Sequence, residues 1–257
     1  MRYLVLSDIH GNLEALEATL AAVDDCDGAL VLGDLVGYGA DPNAVVERIR
    51  ALPASVIVRG NHDKVAAGLD STESFNHIAR DAIEWTTAVM TPANREWLGA
   101  LPPGPLVIND TIEICHGAPF DEDVYVFDEL DALRSLHAAT RQLCLFGHTH
   151  VPAVYRLDVE GGVREGPPRG GAALDMIVPA RGAAFTIDLG PHSRYLVNCG
   201  AVGQPRDGDP RAAYGIVDTE AATVTLLRVE YDVRAARAKV LSAGLPDILA
   251  QRLAVGR

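Results

Sequence analysis

Four short motifs, each placed where an apolar run ends, constrain this chain more than any other feature. They are Asp8-Ile9-His10, Gly33-Asp34, Gly60-Asn61-His62-Asp63 and Gly147-His148-Thr149-His150, and a lone His116-Gly117 falls between the last two. An apolar run that ends in carboxylates or imidazoles reads as a buried strand delivering polar groups to the edge of an α/β sheet, where such sheets build their sites. A single site must collect groups spread from Asp8 to His150. The expectation is therefore one domain over residues 1–257, and 48% hydrophobic content is ample for its core.

The pattern along the chain supports this organisation. Tyr3 to Leu6, Ala29 to Leu32 and Ser55 to Val58 are short apolar runs fit for buried strands. Between them, Asn12 precedes a helical stretch from Leu13 to Val23, and Asp41-Pro42 opens another through Ile49. This alternation predicts a parallel sheet with crossover helices. From Lys64 to Ala100 the pattern changes. Ser74 to Met90 and Pro92 to Leu98 look helical, forming an insertion over about 64–100 that carries both tryptophans as packing residues. Leu106 to Ile108 and Thr111 to Cys115 read as strands paired around Asn109-Asp110. Leu143 to Phe146 leads into the last motif. Strand-like runs then recur at Ala153 to Val159, Ala183 to Leu189, Arg194 to Val197, Ala213 to Val217 and Thr223 to Val229, mostly antiparallel. A loop or hairpin is expected at Gly161 to Gly171, and helices from Asp232 to Leu253.

The chemistry of the motifs points to metal. Asp8, Asp34, His10, His116, His148, His150 and Asn61 offer two carboxylates, four imidazoles and an amide. That mixture suits Mn, Fe, Zn, Ni or Co better than the oxygen-seeking Ca or Mg. Two divalent ions bring four positive charges, of which the carboxylates cancel two. The remainder suits a phosphate anion and lowers the pKa of a bound water. Five of the eight histidines fall inside the motifs, while His77, His137 and His192 match none.

The series D-x-H, G-D, G-N-H-D, H-G and G-H-T-H resembles the calcineurin-like metallophosphoesterase family. Gly33-Asp34-Leu35-Val36-Gly37-Tyr38-Gly39 and Val202-Gly203-Gln204-Pro205-Arg206-Asp207-Gly208 resemble its small bacterial phosphodiesterase branch. The resemblance implies an α/β (α+β) fold, a four-layer α-β-β-α sandwich of two mixed sheets. It implies a dinuclear phosphoesterase acting on phosphodiester or phosphomonoester bonds through a metal-activated hydroxide. Two divalent transition-metal ions are implied, with manganese the first choice and Fe, Zn, Ni or Co as alternatives. Asp8, His10 and His150 would bind one ion, Asn61, His116 and His148 the other, and Asp34 both. His62 would face the substrate and protonate or stabilise the leaving oxygen, oriented by Asp63. Arg206 is a candidate for holding a phosphate oxygen, with a surface ion pair to Asp207 or Asp209 as the rival reading.

Two departures stand out. Protein phosphatases of this family carry arginine after G-D, in G-D-x-V-D-R-G, where this chain has Gly37 and Tyr38. The bacterial branch carries N-P-G-S where this chain has Asn198-Cys199-Gly200-Ala201. A protein phosphatase, a dinucleoside-polyphosphate phosphatase and a non-catalytic binding scaffold remain as alternatives on this fold. The substrate implied is a small phosphorylated molecule. A formal charge of -13 argues against stable nucleic-acid binding, which rests on Lys and Arg. No run approaches the roughly 18 apolar residues of a membrane span. Four scattered cysteines without a CxxC pair fit small buried groups in a reducing compartment. An N-terminal leader whose cleavage removed Asp8 would destroy the site. The expectation is a cytoplasmic protein.

Overall fold

The computed structural model describes residues 1–159, 173–177, 179, 182 and 184–257. The first part of the chain runs β1 (Arg2–Leu6), α1 (Leu13–Ala21), β2 (Gly28–Val31), α2 (Pro42–Arg50), β3 (Ser55–Ile57), α3 (Asn61–Ala66), α4 (His77–Val89) and α5 (Pro92–Gly99). The second runs β4 (Leu106–Val107), β5 (Ile112–Ile114), α6 (Glu129–Ala138), β6 (Leu143–Phe146), β7 (Ala153–Asp158) and β8 (Leu174–Ile177). The last runs β9 (Phe185–Asp188), β10 (Ser193–Asn198), β11 (Ala212–Asp218), β12 (Thr223–Val229), α7 (Val233–Ser242) and α8 (Asp247–Val255).

The strands form two mixed six-stranded sheets, in the orders β3-β2-β1-β11-β12-β9 and β4-β5-β6-β10-β7-β8. Parallel pairing is confined to β1, β2 and β3 in one sheet and to β5, β6 and β10 in the other. The period-two alternation of a strand then sorts side chains between layers. On β1, Val5 joins a cluster with Ile114, Leu145 and Val197 of the facing sheet, while Leu4 and Leu6 pack on the other side with Leu16 and Val46 of α1 and α2. On the second sheet, Phe146, Tyr155 and Leu196 pack outward against Ala132 and Leu136 of α6. The result is the four-layer α-β-β-α sandwich, and the parallel strand ends converge on one rim.

Local chemistry sets the helices. Asn12 accepts from the Ala15 amide to open α1, and Thr91 accepts from the Asn94 amide ahead of Pro92 to open α5. The inserted helices fold onto the body: Arg50 of α2 lies 5.5 Å over the Trp97 ring, and Trp85 packs with α7 and α8. Both tryptophans are packing residues.

Several elements depart from the sequence reading. The Gly60-Asn61-His62-Asp63 motif is the first turn of α3 and not only a strand end, because Asp63 accepts from the Gly60 amide and closes that turn. Helix α6 was not anticipated. Its buried face is Ala132, Ser135 and Leu136, too small and polar to show a clear apolar period, although Asp128 caps it by accepting from the Leu130 and Asp131 amides. Strand β8 was also missed, since Leu174–Ile177 offers only four residues with two of them exposed. The expected loop at Gly161 to Gly171 lies outside the described residues. Among the described residues, no helix is long and apolar enough to cross a membrane.

Candidate metal centre

Five of the expected ligands sit in a backbone region that L-residues rarely occupy. Asp8, His10, Asp34, His148 and His150 have φ between 49° and 67°. Each such residue carries on the order of 1–3 kcal/mol of strain and persists only where surrounding structure imposes it. Here backbone hydrogen bonds do so. The Asp8 amide donates to Gly33 O (3.1 Å), His10 to Asp34 O (2.9 Å) and Gly11 to Leu35 O (2.9 Å), stitching the loops after β1 and β2 together. The loop after β6 is joined to them by the His148 amide, which donates to the Asp8 carboxylate at 3.2 Å. Two motif glycines permit this crowding: a side chain at Gly60 would overlap the Asp34 carboxylate, and one at Gly147 would overlap Ser7 and Asp8.

The ligand atoms fall into two groups that share Asp34. Asp8, His10, Asp34 and His150 form one, and Asp34, His116 and His148 the other, all buried. Asp34 Oδ2 lies 3.5 Å from His10 Nε2 and 3.4 Å from His116 Nε2. Asp8 Oδ1 lies 3.4 Å from His150 Nε2. Asn61 Oδ1 is 3.3 Å from His116 Nε2, which places the amide beside the second group.

The imidazoles indicate what this arrangement is suited to hold. Each donates its outer N–H to a backbone carbonyl: His10 Nδ1 to Val36, His150 Nδ1 to Gln204, His116 Nδ1 to Leu32 and His148 Nε2 to Asp123, at 2.7 to 3.2 Å. That fixes the tautomers and leaves the inner nitrogens as lone pairs when the rings are neutral. Yet His10 Nε2 lies 3.1 Å from His150 Nε2, and His116 Nε2 3.1 Å from His148 Nδ1. Facing lone pairs at that distance repel unless a cation or a proton lies between them. Asp34 Oδ2, buried, has no hydrogen-bond partner either. The donor set, with nitrogen and oxygen but no thiolate, fits two divalent transition-metal ions.

Without metal the cluster is electrostatically frustrated. Burial lifts the Asp8 carboxyl to about 6 against the pull of His116. Burial also opposes ionisation of Asp34, but His116 and His62 hold its carboxyl well below the usual range. Burial works against charge on His116 too, yet the Asp34 carboxylate raises it to about 10. Burial keeps His10 and His150 neutral and pushes His148 down to about 3. The two shifts run together: without metal the pair favours a carboxylate on Asp34 facing a protonated His116, a proton that ligation would displace.

His62 lies beside the cluster, 5% exposed, its ring 4.8 Å from that of His10 and 4.6 Å from that of Tyr38. Burial lowers it to about 4. Its Nδ1 is buried and unpartnered, so the expected orientation of His62 by Asp63 is not what the structure contains. Asp63 instead accepts from the amides of Leu35 (2.9 Å), Val36 (3.2 Å) and Gly60 (3.0 Å), locking α3 to the loop after Asp34. Adjacent residues in a helical turn point about 100° apart, so Asp63 cannot serve both the cap and its neighbour's ring. The contact that sets His62 is Gly37, where any Cβ would overlap Nδ1.

Arg206 makes no ion pair with either rival partner. Asp207 is taken by Arg228, and Asp209 by Arg211 at 2.6 Å. Its guanidinium lies 5.7 Å over the Tyr38 ring and donates to Gln204 Oε1 at 2.9 Å. Tyr38 thus occupies the place of the missing arginine and presents another one. At the second departure from pattern, Asn198 donates to Gly147 O (2.8 Å) and Thr149 Oγ1 (3.0 Å), and so holds the histidine loop directly.

A cleft of about 380 Å³ opens beside Asn61, His62 and His148. Its walls include Tyr38, Phe75 and Tyr125, and sequence reasoning singled out neither Phe75 nor Tyr125. No motif marks either one. The only signal was position: Phe75 lies in the insertion and Tyr125 nine residues after His116. His77, His137 and His192 are exposed and take no part.

Comparison with known proteins agrees with this architecture. A family model for the calcineurin-like phosphoesterase superfamily domain matches residues 1–222. The chain is 35% identical to an uncharacterized protein of Methanocaldococcus jannaschii, over 98% of this chain and 97% of that one. It is similar to the crystal structure of a metallophosphoesterase from Sphaerobacter thermophilus, with 38% identity, a TM-score of 0.81 and coverage of 100% and 99% of the two chains. A hypothetical protein from Pyrococcus horikoshii shares the fold at 19% identity and a TM-score of 0.75, with coverage of 100% and 98%.

Proposed function

The chain belongs to the calcineurin-like phosphoesterase superfamily, and from that premise we propose that it is a dinuclear metal-dependent phosphoesterase that hydrolyses phosphodiester or phosphomonoester bonds. The observation that carries the reading is the pair of ligand groups joined at Asp34, with two sets of imidazole lone pairs turned inward. When bound, two divalent transition-metal ions, manganese first among them, supply the excess positive charge that attracts phosphate and yields hydroxide from water near neutral pH.

The chain's own residues do the rest. Asp8, His10 and His150 hold one ion, Asn61, His116 and His148 hold the other, and Asp34 serves both. His62 stands at the cleft with no hydrogen bond to its ring and stabilises charge or supplies a proton at the leaving oxygen. Asp63 acts at one remove, by fixing the turn that carries Asn61 and His62. Arg206 holds a non-bridging phosphate oxygen while resting on Tyr38. A single guanidinium in place of the phosphatase arginine favours the singly charged diester over the monoester. Retention of every ligand disfavours a binding scaffold. The whole chain acts as one domain, with α4 and α5 as its insertion.

The test is hydrolysis of bis(p-nitrophenyl) phosphate by Mn²⁺-reconstituted protein and by its Asp34→Asn variant. Metal-dependent cleavage lost in the variant is expected. Equal activity in the two proteins would overturn the assignment.

A further inference from the structure

The cleft beside the cluster has a polarity opposite to that of a phosphate site. Three carboxylates line it, Asp70, Glu73 and Asp123, against the single ammonium of Lys64. That ammonium is already engaged by Asp123 at 2.5 Å, Asp70 at 3.0 Å and Glu122 at 3.6 Å. A second phosphate placed here would meet a net negative charge, three carboxylates against one ammonium. Arg206 does not line this cleft. With Arg257 it lines a separate open pocket.

Tyr38, Phe75 and Tyr125 add aromatic walls, and the best placed ring is Tyr125. It stacks on the His148 imidazole with centroids 3.6 Å apart and planes 20° apart, and Phe127 stacks on Tyr125 at 5.0 Å and 7°. Its loop is tied down just ahead of the ring. Glu122 receives two hydrogen bonds from Arg59, at 2.9 and 3.1 Å, and Asp123 O accepts from His148 Nε2 at 3.2 Å. The ring is nonetheless 40% exposed. Phe75 reaches the same cleft and packs on His62 at 4.7 Å. Independently of these walls, the nearly buried and unpartnered imidazole of His62 borders the same space.

We propose that this cleft is the leaving-group subsite, that it receives a planar group that is uncharged or cationic, and that Tyr125 is the residue that selects it. The proposal rests on the phosphoesterase reading and adds the substrate's orientation to it. Hydrolysis forms one P–O bond from water and breaks the ester P–O bond, and the departing oxygen takes one proton to become an alcohol. That alcohol leaves from the acidic, aromatic side, while the phosphoryl group stays with the cluster and Arg206. Esters whose leaving group carries further phosphates are disfavoured, because their charge faces Asp70, Glu73 and Asp123. With His148 on one face of Tyr125 and Phe127 on the other, a ring set against its exposed edge gains an edge-to-face contact, and a cationic one gains the carboxylates as well.

Isothermal titration of the full chain loaded with Mn²⁺ tests this with three flat probes: benzamidine, benzamide and benzenesulfonate. Loading the ions first neutralises the ligand carboxylates, so the cationic probe reports on the cleft. Benzamidine is expected to bind tightest, benzamide next and benzenesulfonate weakest. Tyr125→Ala should weaken benzamidine about fivefold, whereas Tyr125→Phe should retain it within about twofold. Glu73→Gln, an exposed change, should narrow the gap between benzamidine and benzamide. Benzenesulfonate binding as tightly as benzamidine, or benzamidine indifferent to Tyr125→Ala, would overturn the proposal. No turnover is needed for this readout. Selective binding without phosphodiester hydrolysis would count against the hydrolase reading alone, and hydrolysis with no such selectivity would count against the subsite alone.

Discussion

Six of the seven proposed ligands are buried, and five of these are strained and stitched by backbone hydrogen bonds to loops from distant parts of the chain. The cleft that Asn61 and His148 border is otherwise different. Phe75 precedes α4, Tyr125 lies in the loop before α6, and the carboxylates of Asp70 and Asp123 are tied to Lys64. The cluster tolerates almost no change because each ligand's position depends on several others. The cleft can change one wall at a time. A fold that must keep its metal chemistry while altering what it cleaves would separate the two in this way.

The sharpest way to break that contrast is Asp34→Asn, which removes the group common to both ligand sets. Turnover should fall well beyond the roughly hundredfold loss typical of an outer partner, and metal content measured by elemental analysis should fall with it. His62→Ala should lower kcat by roughly 10²- to 10⁴-fold while leaving metal content unchanged, which separates the cleft-facing imidazole from the ligands.

A third prediction concerns protons. His116 is raised to about 10 and must be neutral to ligate, so metal binding at pH 8 should release about one proton per chain, measurable calorimetrically in buffers of different ionisation enthalpy. Affinity should rise about tenfold per pH unit from 7 to 9, and fall more steeply below about pH 6, where Asp8 also takes a proton. The sign for stability follows. A raised folded pKa on His116 contributes stability that is complete below about 6.5 and lost as pH climbs through about 10. The melting temperature of the metal-free chain should therefore decline from pH 7 to 10, and the gain on adding Mn²⁺ should grow.

The smaller effects sharpen the contrast. Gly37→Ala pushes a methyl group into His62 Nδ1 at a φ of 90° and should reduce kcat by about tenfold with metal content intact. Arg206→Lys keeps the charge but loses the fork, and should raise KM by only several-fold. The check in both cases is steady-state kinetics on bis(p-nitrophenyl) phosphate.

What could be read from the sequence follows the same division. The clustered residues were legible because they sit in contiguous motifs, where residue chemistry narrows quickly. Strand-helix alternation and the later turn-separated strands foretold the parallel and antiparallel parts, while their division into two mixed sheets came from the resemblance. The partners of the imidazoles were not legible, since the carbonyls of Leu32, Val36, Asp123 and Gln204 belong to the backbone and leave no mark in residue identity. The role that the resemblance implies for Asp63 is not the one the structure contains, because the helical turn directs that carboxylate to three amides. Tyr125 was hidden because its significance depends on a stack with a residue 23 positions later.

The most direct test of the central claim is the anomalous scattering of crystals grown with Mn²⁺, recorded at the manganese edge. The account predicts two peaks about 3.5–4 Å apart, with Asp34 contacting both, His10 and His150 on one side and His116 and His148 on the other. A single peak, or two ions that do not share Asp34, would contradict it.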